Sequence, residues 1–299
     1  MKIFITGGAG FIGTNLARYL LSQGHHVTAV GRPSSPRRLQ HENWLYIAAD
    51  TTQEGPWQDA LQDTDAVVNL AGASIFKRWT AGYKKRIYDS RILTTRNLVK
   101  ALPDGRQLTL CSASGAGYYG NRADDILKED EPPGDDFLAA VAVDWEKEAW
   151  AAAAKGVQVV MMRFGVVLGR NGGALAKMIP AYKSFLGGPI GDGRQWFSWI
   201  HVEDVIAAIV FAFDHPGIRG PVNFGAPQPV TNRDLAESLG QVLKRPSFMP
   251  APAFMIRLAL GEFGSVLLAS QRIVPDKLLS HGFQFSYPNI KNALQAAVK

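Results

Sequence analysis

The 299-residue sequence predicts an α/β fold, with a doubly wound parallel sheet followed by a smaller, mainly helical C-terminal domain. Three observations support this prediction. Short, almost continuously apolar segments alternate with helical segments through the first two thirds of the chain, as expected for parallel strands covered on both faces. A glycine-rich segment joins the first strand to the first helix. After about Gly165 the alternation gives way to Gly- and Pro-rich pieces and short helices.

Six apolar segments are the predicted strands, and each has the length and composition of a buried strand. They comprise residues 2–7, 26–31, 44–49, 66–71, 107–113 and 158–164. Helical periodicity lies between most of them, over residues 14–23, 79–102 and 137–154. In the last of these, apolar residues recur at offsets of 3, 4, 7 and 11 from Leu138, which predicts one buried helix face.

The change of pattern after Gly165 predicts two domains. The first comprises residues 1–165 and the second residues 166–299. Two later segments, FSWIHVEDV and PVNFGA, are apolar enough to return the chain to the sheet near residues 196–226. The tail beyond them is mainly helical in pattern.

Composition excludes several classes of protein. Hydrophobic residues make up 46% of the chain and charged residues 19%, which is ordinary for a soluble globular protein. The densest apolar run, residues 205–213, is far too short to span a bilayer, so we expect no membrane partner. The first residues begin a strand and leave no room for a signal or transit peptide. The single cysteine, Cys111, fits a reducing cytoplasm, and its apolar neighbours predict an inert core thiol.

The net charge of +6 comes from 32 basic and 26 acidic residues. The basic residues are scattered and form no stripe interleaved with aromatic residues, so we expect no nucleic-acid partner. A few arginines are instead suited to a small phosphorylated ligand. The six histidines and one cysteine show no metal-ligand spacing, so the sequence predicts no metal site.

The segment ITGGAGFIGTNL is the strongest local indication of a ligand-binding site in the sequence. Gly7, Gly10 and Gly13 form Gly-x-x-Gly-x-x-Gly between a strand and a helix, and Phe11 and Ile12 lie at the start of that helix. Glycines permit the tight turn and the close approach of the backbone to a pyrophosphate, which the amides at the helix start then bind. The segment therefore predicts a Rossmann-like dinucleotide site that includes all five residues.

The end of the second strand predicts which nicotinamide cofactor binds. A carboxylate there would accept hydrogen bonds from the adenine ribose 2′-hydroxyl, but this sequence has VGRPSSPRR. Gly31 ends the strand and Arg32 is positioned to hold a 2′-phosphate, with Arg37 and Arg38 nearby. The sequence therefore favours NADP(H) over NAD(H), the alternative being that Arg32 is a solvated loop charge.

Several motifs beyond the glycine loop carry a family resemblance. AAD ending at Asp50, NLAG at 69–72, YYG at 118–120 and WIHVEDV at 199–205 resemble the extended short-chain dehydrogenase/reductase superfamily. Within it, the chain resembles the atypical YfcH-like epimerase-family group. The segments that carry this resemblance include DSR, PPGDDFL, MRFGVVLG, GGPIGDGRQWFSWIH and QRIVPDKLL, and they cover nearly the whole chain.

The resemblance implies further cofactor contacts. It places Asp50 near the adenine, Leu70 and Ala71 along the adenosine channel, Arg91 close to the cofactor, and Arg163 beside the nicotinamide. Asp50 could instead cap a loop, and Arg91 could be a surface helix charge. Arg163 ends an apolar strand, so it needs either a buried partner or a ligand.

Typical members of the superfamily use a Ser or Thr after the fifth strand and a Tyr-x-x-x-Lys on the next helix, where the tyrosine exchanges a proton with the substrate. In this chain the Ser/Thr position falls on Gly115, and the Tyr and Lys positions fall on Leu138 and Ala142. No tyrosine occurs between Gly134 and Ala154, and the only lysine there is Lys147. The usual acid/base pair is therefore absent from the sequence.

Four nearby residues become the candidate catalytic groups, with Tyr118 and Tyr119 as proton donors and Ser112 or Ser114 as hydrogen-bond donors to the substrate oxygen. The alternative is that the tyrosines are structural, because aromatic residues at strand ends commonly pack under the adjoining loop.

Other polar residues have weaker signals. Asp135 and Asp136 precede the helix from 137 and are expected to cap it. Arg194, Trp196, Trp199 and His201 could form a wall for a phosphate or a ring, although a lone histidine is more often structural. Arg272 and Lys277 could meet an anionic substrate or be solvated.

Two functional hypotheses follow. The first is an NADP(H)-dependent oxidoreductase or epimerase-like isomerase acting on a small, phosphorylated or nucleotide-linked substrate. The second is a non-catalytic NADP(H)-binding redox sensor or scaffold, motivated by Leu138 and Ala142 at the acid/base positions. The helices from residues 79 and 137 could form a homodimer interface, or could be buried within one chain. Residues 1–165 are the expected cofactor domain and residues 166–299 the expected substrate side.

Overall fold

The structure is a computed structural model that describes residues 1–32 and 39–298. The strands in chain order are β1 (Lys2–Thr6), β2 (His26–Gly31), β3 (Trp44–Ala48), β4 (Ala66–Asn69), β5 (Thr109–Gly115), β6 (Ile126–Leu127), β7 (Gln158–Phe164), β8 (Val166–Leu168), β9 (Trp196–Phe197), β10 (Trp199–His201), β11 (Gly220–Phe224), β12 (Val230–Thr231) and β13 (Arg272–Ile273). The α-helices are α1 (Phe11–Ser22), α2 (Ala81–Ala101), α3 (Phe137–Trp150), α4 (Leu175–Lys183), α5 (Val202–Asp214), α6 (Asn232–Leu243), α7 (Ala253–Leu260), α8 (Glu262–Leu267), α9 (Asp276–Ser280) and α10 (Ile290–Val298).

Seven strands form the central sheet in the order β11-β7-β5-β4-β1-β2-β3, and every neighbouring pair is parallel. The chain leaves β1 toward β2 and β3 on one side, and later adds β4, β5, β7 and β11 on the other. The strand order thus reverses next to β1, and the crevice above such a reversal is where doubly wound sheets bind ligands.

Both faces of the sheet are buried, as the continuous apolar strands predict. Along β1 the side chains alternate, with Ile3 and Ile5 in the layer under α1 and α5, and Phe4 in the opposite layer. That opposite layer contains Leu98 of α2 and Ala149 of α3. The fold class predicted from the sequence is confirmed.

The C-terminal region has a core of its own. Leu235 and Leu239 of α6 pack with Leu294 of α10 and Tyr182 of α4. The predicted return of the chain to the sheet is correct for β11, which pairs with β7. The strands β9 and β10 do not join that sheet, since they form separate two-stranded pairs with β12 and β8.

Residues 1–32 and 39–298 also bear on membrane spans and metal sites. No helix in these ranges has both the length and the apolar character needed to cross a membrane. The same residues contain no cluster of three or more His, Cys, Asp or Glu side chains that could hold a metal ion. Cys111 lies fully buried in the sheet, and burial raises the pKa of its thiol to about 12, which keeps it protonated.

Candidate functional site

The glycine loop between β1 and α1 has the tight geometry that its spacing predicts. Gly7 has φ +68°, and a Cβ there would lie 2.9 Å from the Leu70 carbonyl group. A Cβ on Gly13 would lie 2.5 Å from the Gly7 carbonyl oxygen. Only glycine fits at either position without moving backbone atoms. The loop therefore lies against the end of β4 at Gly7, and α1 lies against the loop at Gly13.

The start of α1 leaves backbone donors free for a ligand. The first intrahelical hydrogen bond runs from the Thr14 amide to the Gly10 carbonyl, at 2.9 Å, and Gly10 has no side chain with which to cap the helix. The amides of Phe11, Ile12 and Gly13 therefore have no acceptor within the helix. Amides in this arrangement, at the positive end of the helix dipole, are suited to bind phosphate.

A cleft of about 490 Å³ opens above this loop at the carboxyl end of the sheet. Seven of the residues predicted to contact the cofactor line it together, namely Gly7, Gly10, Gly31, Arg32, Asp50, Leu70 and Ala71. They come from the ends of β1, β2 and β4 and from the loop after β3. Arg37 and Arg38, which the sequence also suggested, lie outside the described residues.

The side chains of Phe11 and Ile12 do not line this cleft. The Phe11 ring packs over Gly172, where a Cβ would come within 2.1 Å of the ring, and Ile12 packs against the core under α1. Any contact that these two residues make with a cofactor is therefore made by their backbone amides.

One face of α2 forms a wall of the cleft that the sequence analysis missed. Gly82, Lys85, Arg86, Asp89 and Ser90 all line the cleft, at a spacing that places them along one stripe of the helix. Lys85 pairs with the Asp89 carboxylate. The sequence signal that could have identified this wall was the polar stripe of α2, which contains two basic residues.

The floor near the second and third strands was also missed. Tyr46, Thr51 and Thr52 line the cleft, and the Tyr46 hydroxyl donates to the Arg32 carbonyl at 3.1 Å. Asp50 accepts hydrogen bonds from the amide and hydroxyl of Thr52. Asp50 thus closes a turn and also lines the cleft. Its position is compatible with both interpretations from the sequence, a cap of a loop and a residue near the adenine.

Arg91 lies directly behind the wall formed by Gly72. Its guanidinium Cζ is 3.2 Å from the position of a Cβ on Gly72 and 5.1 Å from the centre of the Trp145 ring. It donates hydrogen bonds to the carbonyls of Ala73 and Ile87. Within the described ranges it forms no ion pair, and burial lowers its pKa to about 10. A half-buried cation that forms no ion pair among the described residues favours a nearby anion, which argues against a fully solvated helix charge.

Arg163 is explained by a partner within the protein. Its Nε and Nη2 donate to the two carboxylate oxygens of Glu146, both at 2.8 Å, and its Nη1 donates to the Tyr119 hydroxyl and the Glu129 carbonyl. Burial alone would lower the Arg163 pKa, but the Glu146 carboxylate raises it above its usual value. Of the two alternatives that the sequence offered, a buried partner or a ligand, the structure provides the partner, Glu146; a contact of Arg163 with nicotinamide stays a prediction.

Three of the four candidate catalytic residues are held in buried hydrogen bonds. Ser112 accepts from the Asn69 side chain at 3.1 Å, and Ser114 donates to Glu146 at 2.6 Å. Tyr119 is fully buried, its hydroxyl donates to Asn223 at 2.8 Å, and burial raises its pKa to about 12. Their roles as proton or hydrogen-bond donors stay a prediction, and each would first have to give up or share the buried hydrogen bond that it makes here.

Tyr118 is the exception. It is half-buried, the Arg163 guanidinium lies 3.4 Å from the centre of its ring, and its hydroxyl makes no hydrogen bond with the described residues. It remains the one candidate donor of the four that is not already engaged.

The helix that normally carries the acid/base pair begins with a cap, as expected. The Asp136 carboxylate accepts from the Ala139 amide at 2.9 Å, while Asp135 is exposed and makes no capping hydrogen bond with the residues that the structure describes. Leu138 lies against Gly117, where a Cβ would be 3.2 Å from the leucine Cβ, and Ala142 is buried. Apolar side chains thus occupy the two positions to which the family resemblance assigns the acid/base pair.

The residues predicted as a substrate wall have structural roles. Trp199 is fully buried and donates to the Gln228 carbonyl. His201 caps α5 by accepting from the Glu203 amide at 3.3 Å, and burial lowers its pKa. Arg194 is exposed.

Two further contacts concern the predicted anion-binding residues. The Arg272 guanidinium stacks on the Trp196 ring at 4.1 Å, while the Trp196 indole donates to Asp124. The Lys277 ammonium donates to the carbonyls of Arg219 and Pro221. Neither cation lines the cleft, so the structure does not bring them to the cofactor residues.

Comparison with known proteins supports the architecture of the site. The model of the NAD dependent epimerase/dehydratase family matches residues 3–225, and a domain of unknown function, DUF1731, matches residues 251–297. The chain is 40% identical over 301 residues to the epimerase family protein YfhF of Bacillus subtilis, covering 100% of this chain and 98% of that protein. It is 39% identical over 303 residues to the chloroplastic SDR39U1 homolog of Arabidopsis thaliana, covering 100% and 87%.

Solved structures show the same relationship. Human epimerase family protein SDR39U1 (isoform 2) with NADPH matches with a TM-score of 0.85 and 33% identity over 99% of both chains. A nucleoside-diphosphate sugar epimerase from Corynebacterium glutamicum matches with a TM-score of 0.77 and 31% identity, over 100% of this chain and 58% of that one. Together with the glycine loop and the cleft above it, these matches show that the chain belongs to the NAD dependent epimerase/dehydratase family.

Proposed function

We propose that the protein binds NADP(H) in the cleft above the glycine loop and transfers hydride between this cofactor and a small substrate. The observation that carries this proposal is the cleft itself, which joins the glycine loop to Arg32 at the end of β2. A carboxylate at that strand end would exclude a 2′-phosphate, whereas arginine binds one through charge-assisted hydrogen bonds. The NADPH held by the human relative supports the same choice of cofactor.

The distribution of charge around the cleft fits an anionic dinucleotide. Arg32, Lys85 and Arg86 are three basic residues on its walls, and Arg91 is a fourth cation directly behind Gly72. With the amides at the start of α1, they surround the cleft with donors that suit a pyrophosphate and a 2′-phosphate. The nicotinamide half would then lie over the ends of β4, β5 and β7.

The missing acid/base pair favours reduction over epimerisation. Epimerisation through a transient ketone requires a base to remove a hydroxyl proton, and Leu138 and Ala142 cannot do so. Hydride transfer from NADPH to an acceptor needs no such base. A phosphorylated or nucleotide-linked substrate remains part of the proposal. It is supported by the similarity to the nucleoside-diphosphate sugar epimerase from Corynebacterium glutamicum.

The test compares the affinities of the wild-type protein and the Arg32→Ala variant for NADPH and NADH, with binding measured by cofactor fluorescence. Loss of a charged hydrogen-bonding partner costs about 1.5–3 kcal/mol, so NADPH affinity should fall by about 10- to 100-fold while NADH affinity stays unchanged. Arg18→Ala is a matched control, because Arg18 is exposed on α1 and does not line the cleft.

Equal affinity of the wild-type protein for NADPH and NADH would contradict the cofactor assignment. Tight NADPH binding without oxidation by any acceptor would contradict the enzymatic part alone. That second result would favour a non-catalytic NADP(H)-binding sensor, which the apolar residues at the acid/base positions also suit.

A further inference from the structure

We propose that the protein attaches peripherally to an anionic lipid surface through exposed apolar side chains of its C-terminal region. The surface, which we term the apolar face, comprises Phe185, Leu186, Phe248, Met249, Phe254, Met255 and Leu258. None of these residues lines the cleft above the glycine loop, so the proposal does not depend on cofactor binding.

Exposed hydrophobic side chains are concentrated in this part of the molecule. Among the described residues fifteen large hydrophobic side chains are exposed, and seven of them belong to the apolar face. Phe248 is 75% exposed, Phe254 69% and Leu258 77%. Single exposed hydrophobic residues are ordinary, whereas a concentration of them marks a surface that contacts another molecule or a membrane.

Three short segments supply these side chains, and backbone hydrogen bonds join the chain around the first two of them. The Met249 amide donates to the Gly187 carbonyl at 3.1 Å, and the Ala251 amide donates to the Pro189 carbonyl at 2.9 Å. The second segment therefore lies beside the first, and α7, which carries the third, follows it directly along the chain.

Helix α7 holds its apolar side chains away from the protein interior. None of its eight residues is buried. Phe254 and Leu258 are four residues apart and Met255 is next to Phe254, so the three side chains share one side of the helix, and each is more than half exposed. Helices that lie in a membrane interface present Phe and Leu side chains in this way.

The segments that form the apolar face carry only basic charges. Residues 171–191 and 238–261 contain no Asp or Glu. Their exposed cations are Lys177, Lys183, Lys244, Arg245 and Arg257. None of the five forms an ion pair with a residue that the structure describes, and the Arg245 guanidinium lies 5.1 Å from the centre of the Phe185 ring. The charge of this surface therefore complements an anionic one.

Two other occupants fit these observations less well. A second copy of the chain would bring the same cations together across a two-fold contact, where like charges repel. A peptide helix needs a groove, whereas the side chains of α7 stand out from the surface. A lipid bilayer accepts both features, because anionic headgroups attract the cations and the acyl boundary accepts the apolar side chains. The sequence expectation of no membrane partner concerns spanning segments, and a peripheral contact needs none.

The experiment is co-sedimentation of the 299-residue chain with vesicles, either of phosphatidylcholine alone or of phosphatidylcholine mixed with phosphatidylglycerol. We expect binding to the mixed vesicles, weaker binding as the salt concentration rises, and little binding to the neutral vesicles. No binding to the mixed vesicles, or equal binding to both kinds, would overturn the proposal.

Two double variants separate the apolar contribution from the charged one. Phe254→Ser with Leu258→Ser should lower the partition coefficient for the mixed vesicles by about tenfold or more, because two apolar side chains no longer enter the lipid. Lys244→Ala with Arg245→Ala should lower it by about 25-fold, since each basic residue near an anionic surface contributes about fivefold. All four positions are exposed, so Tm and NADPH affinity should match those of the wild type.

Each double variant has a matched control at exposed positions outside the apolar face. Leu45→Ser with Leu279→Ser also removes two exposed leucine-sized side chains, and Lys147→Ala with Lys291→Ala changes the net charge by the same amount. Both controls should bind the mixed vesicles as the wild type does. A control that loses as much binding as its partner variant would overturn the assignment to the apolar face.

Three further results would assign the apolar face to something else and so overturn the proposal. The first is a concentration-dependent dimer in analytical ultracentrifugation that Phe254→Ser with Leu258→Ser abolishes, which would indicate a second copy. The second is vesicle binding that only the charge variant weakens, which would indicate an acidic polymer rather than a lipid surface. The third is vesicle binding that neither variant changes, which would place the lipid contact elsewhere on the molecule.

Discussion

The buried pair between Arg163 and Glu146 offers a direct test of how this site is organised. The Glu146→Ala substitution removes the carboxylate that accepts two hydrogen bonds from Arg163 and one from Ser114. The Arg163 side chain is 3% exposed and the Glu146 side chain 10% exposed. The variant would therefore leave a positive charge inside the protein without its counterion.

The expected loss of stability can be worked from this burial. Breaking a buried ion pair by removing one partner costs about 3–5 kcal/mol. A chain of this length has an unfolding entropy of roughly 0.6 kcal/mol/K near the melting temperature, so Tm should fall by about 5–8 °C.

Differential scanning fluorimetry of Glu146→Ala and Glu148→Ala, with and without saturating NADPH, measures this loss against a matched control. Glu148 lies on the same helix and pairs with Arg96, whose side chain is 46% exposed, so its removal should cost only about 0.2–1 kcal/mol. Equal Tm values for the two variants would refute the reasoning. Recovery of Glu146→Ala alone on adding NADPH would also refute it, because Arg163 would then be a cofactor contact.

Three further predictions concern the cleft and the C-terminal region. Arg91→Met should lower NADPH affinity by about 10- to 100-fold without lowering the Tm of the cofactor-free protein, because a half-buried cation is removed; a large fall in that Tm would contradict this. Gly7→Ala should abolish NADPH binding in calorimetry, since its Cβ would meet the Leu70 carbonyl at 2.9 Å with φ at +68°; wild-type affinity would show that the loop is not the phosphate site. His201 has a pKa lowered below 6.5 by burial, so the unfolded chain binds more protons just below that pH, and stability should fall as pH drops through about 6.5. His201→Asn keeps a cap for the Glu203 amide but cannot titrate, so Tm measured from pH 5 to 8 should fall less on acidification than in wild type.

Much of the cofactor half of the site could be predicted because its signals are local. Gly7, Gly10 and Arg32 are close in sequence to the strand ends that carry them, and the periodicity of β1, α1 and β2 places those ends correctly. The wall formed by α2 was missed for a different reason: Lys85 and Arg86 match no motif, and their relation to the cleft depends on how the helix is rotated against the sheet.

The sequence by itself determined the first six strands of the central sheet, the glycine loop and the absence of tyrosine from α3, because each depends on neighbouring residues. Only the tertiary structure decided which polar groups are available for chemistry. Tyr119 and Asn223 are 104 residues apart, yet the tyrosine hydroxyl is buried and donates its hydrogen bond to Asn223. The same long-range packing gives Arg163 its partner in Glu146, while Arg91 forms no ion pair within the part of the chain that the structure describes. Hydrogen bonding and desolvation act between residues that meet only when the sheet forms, so sequence periodicity cannot report them.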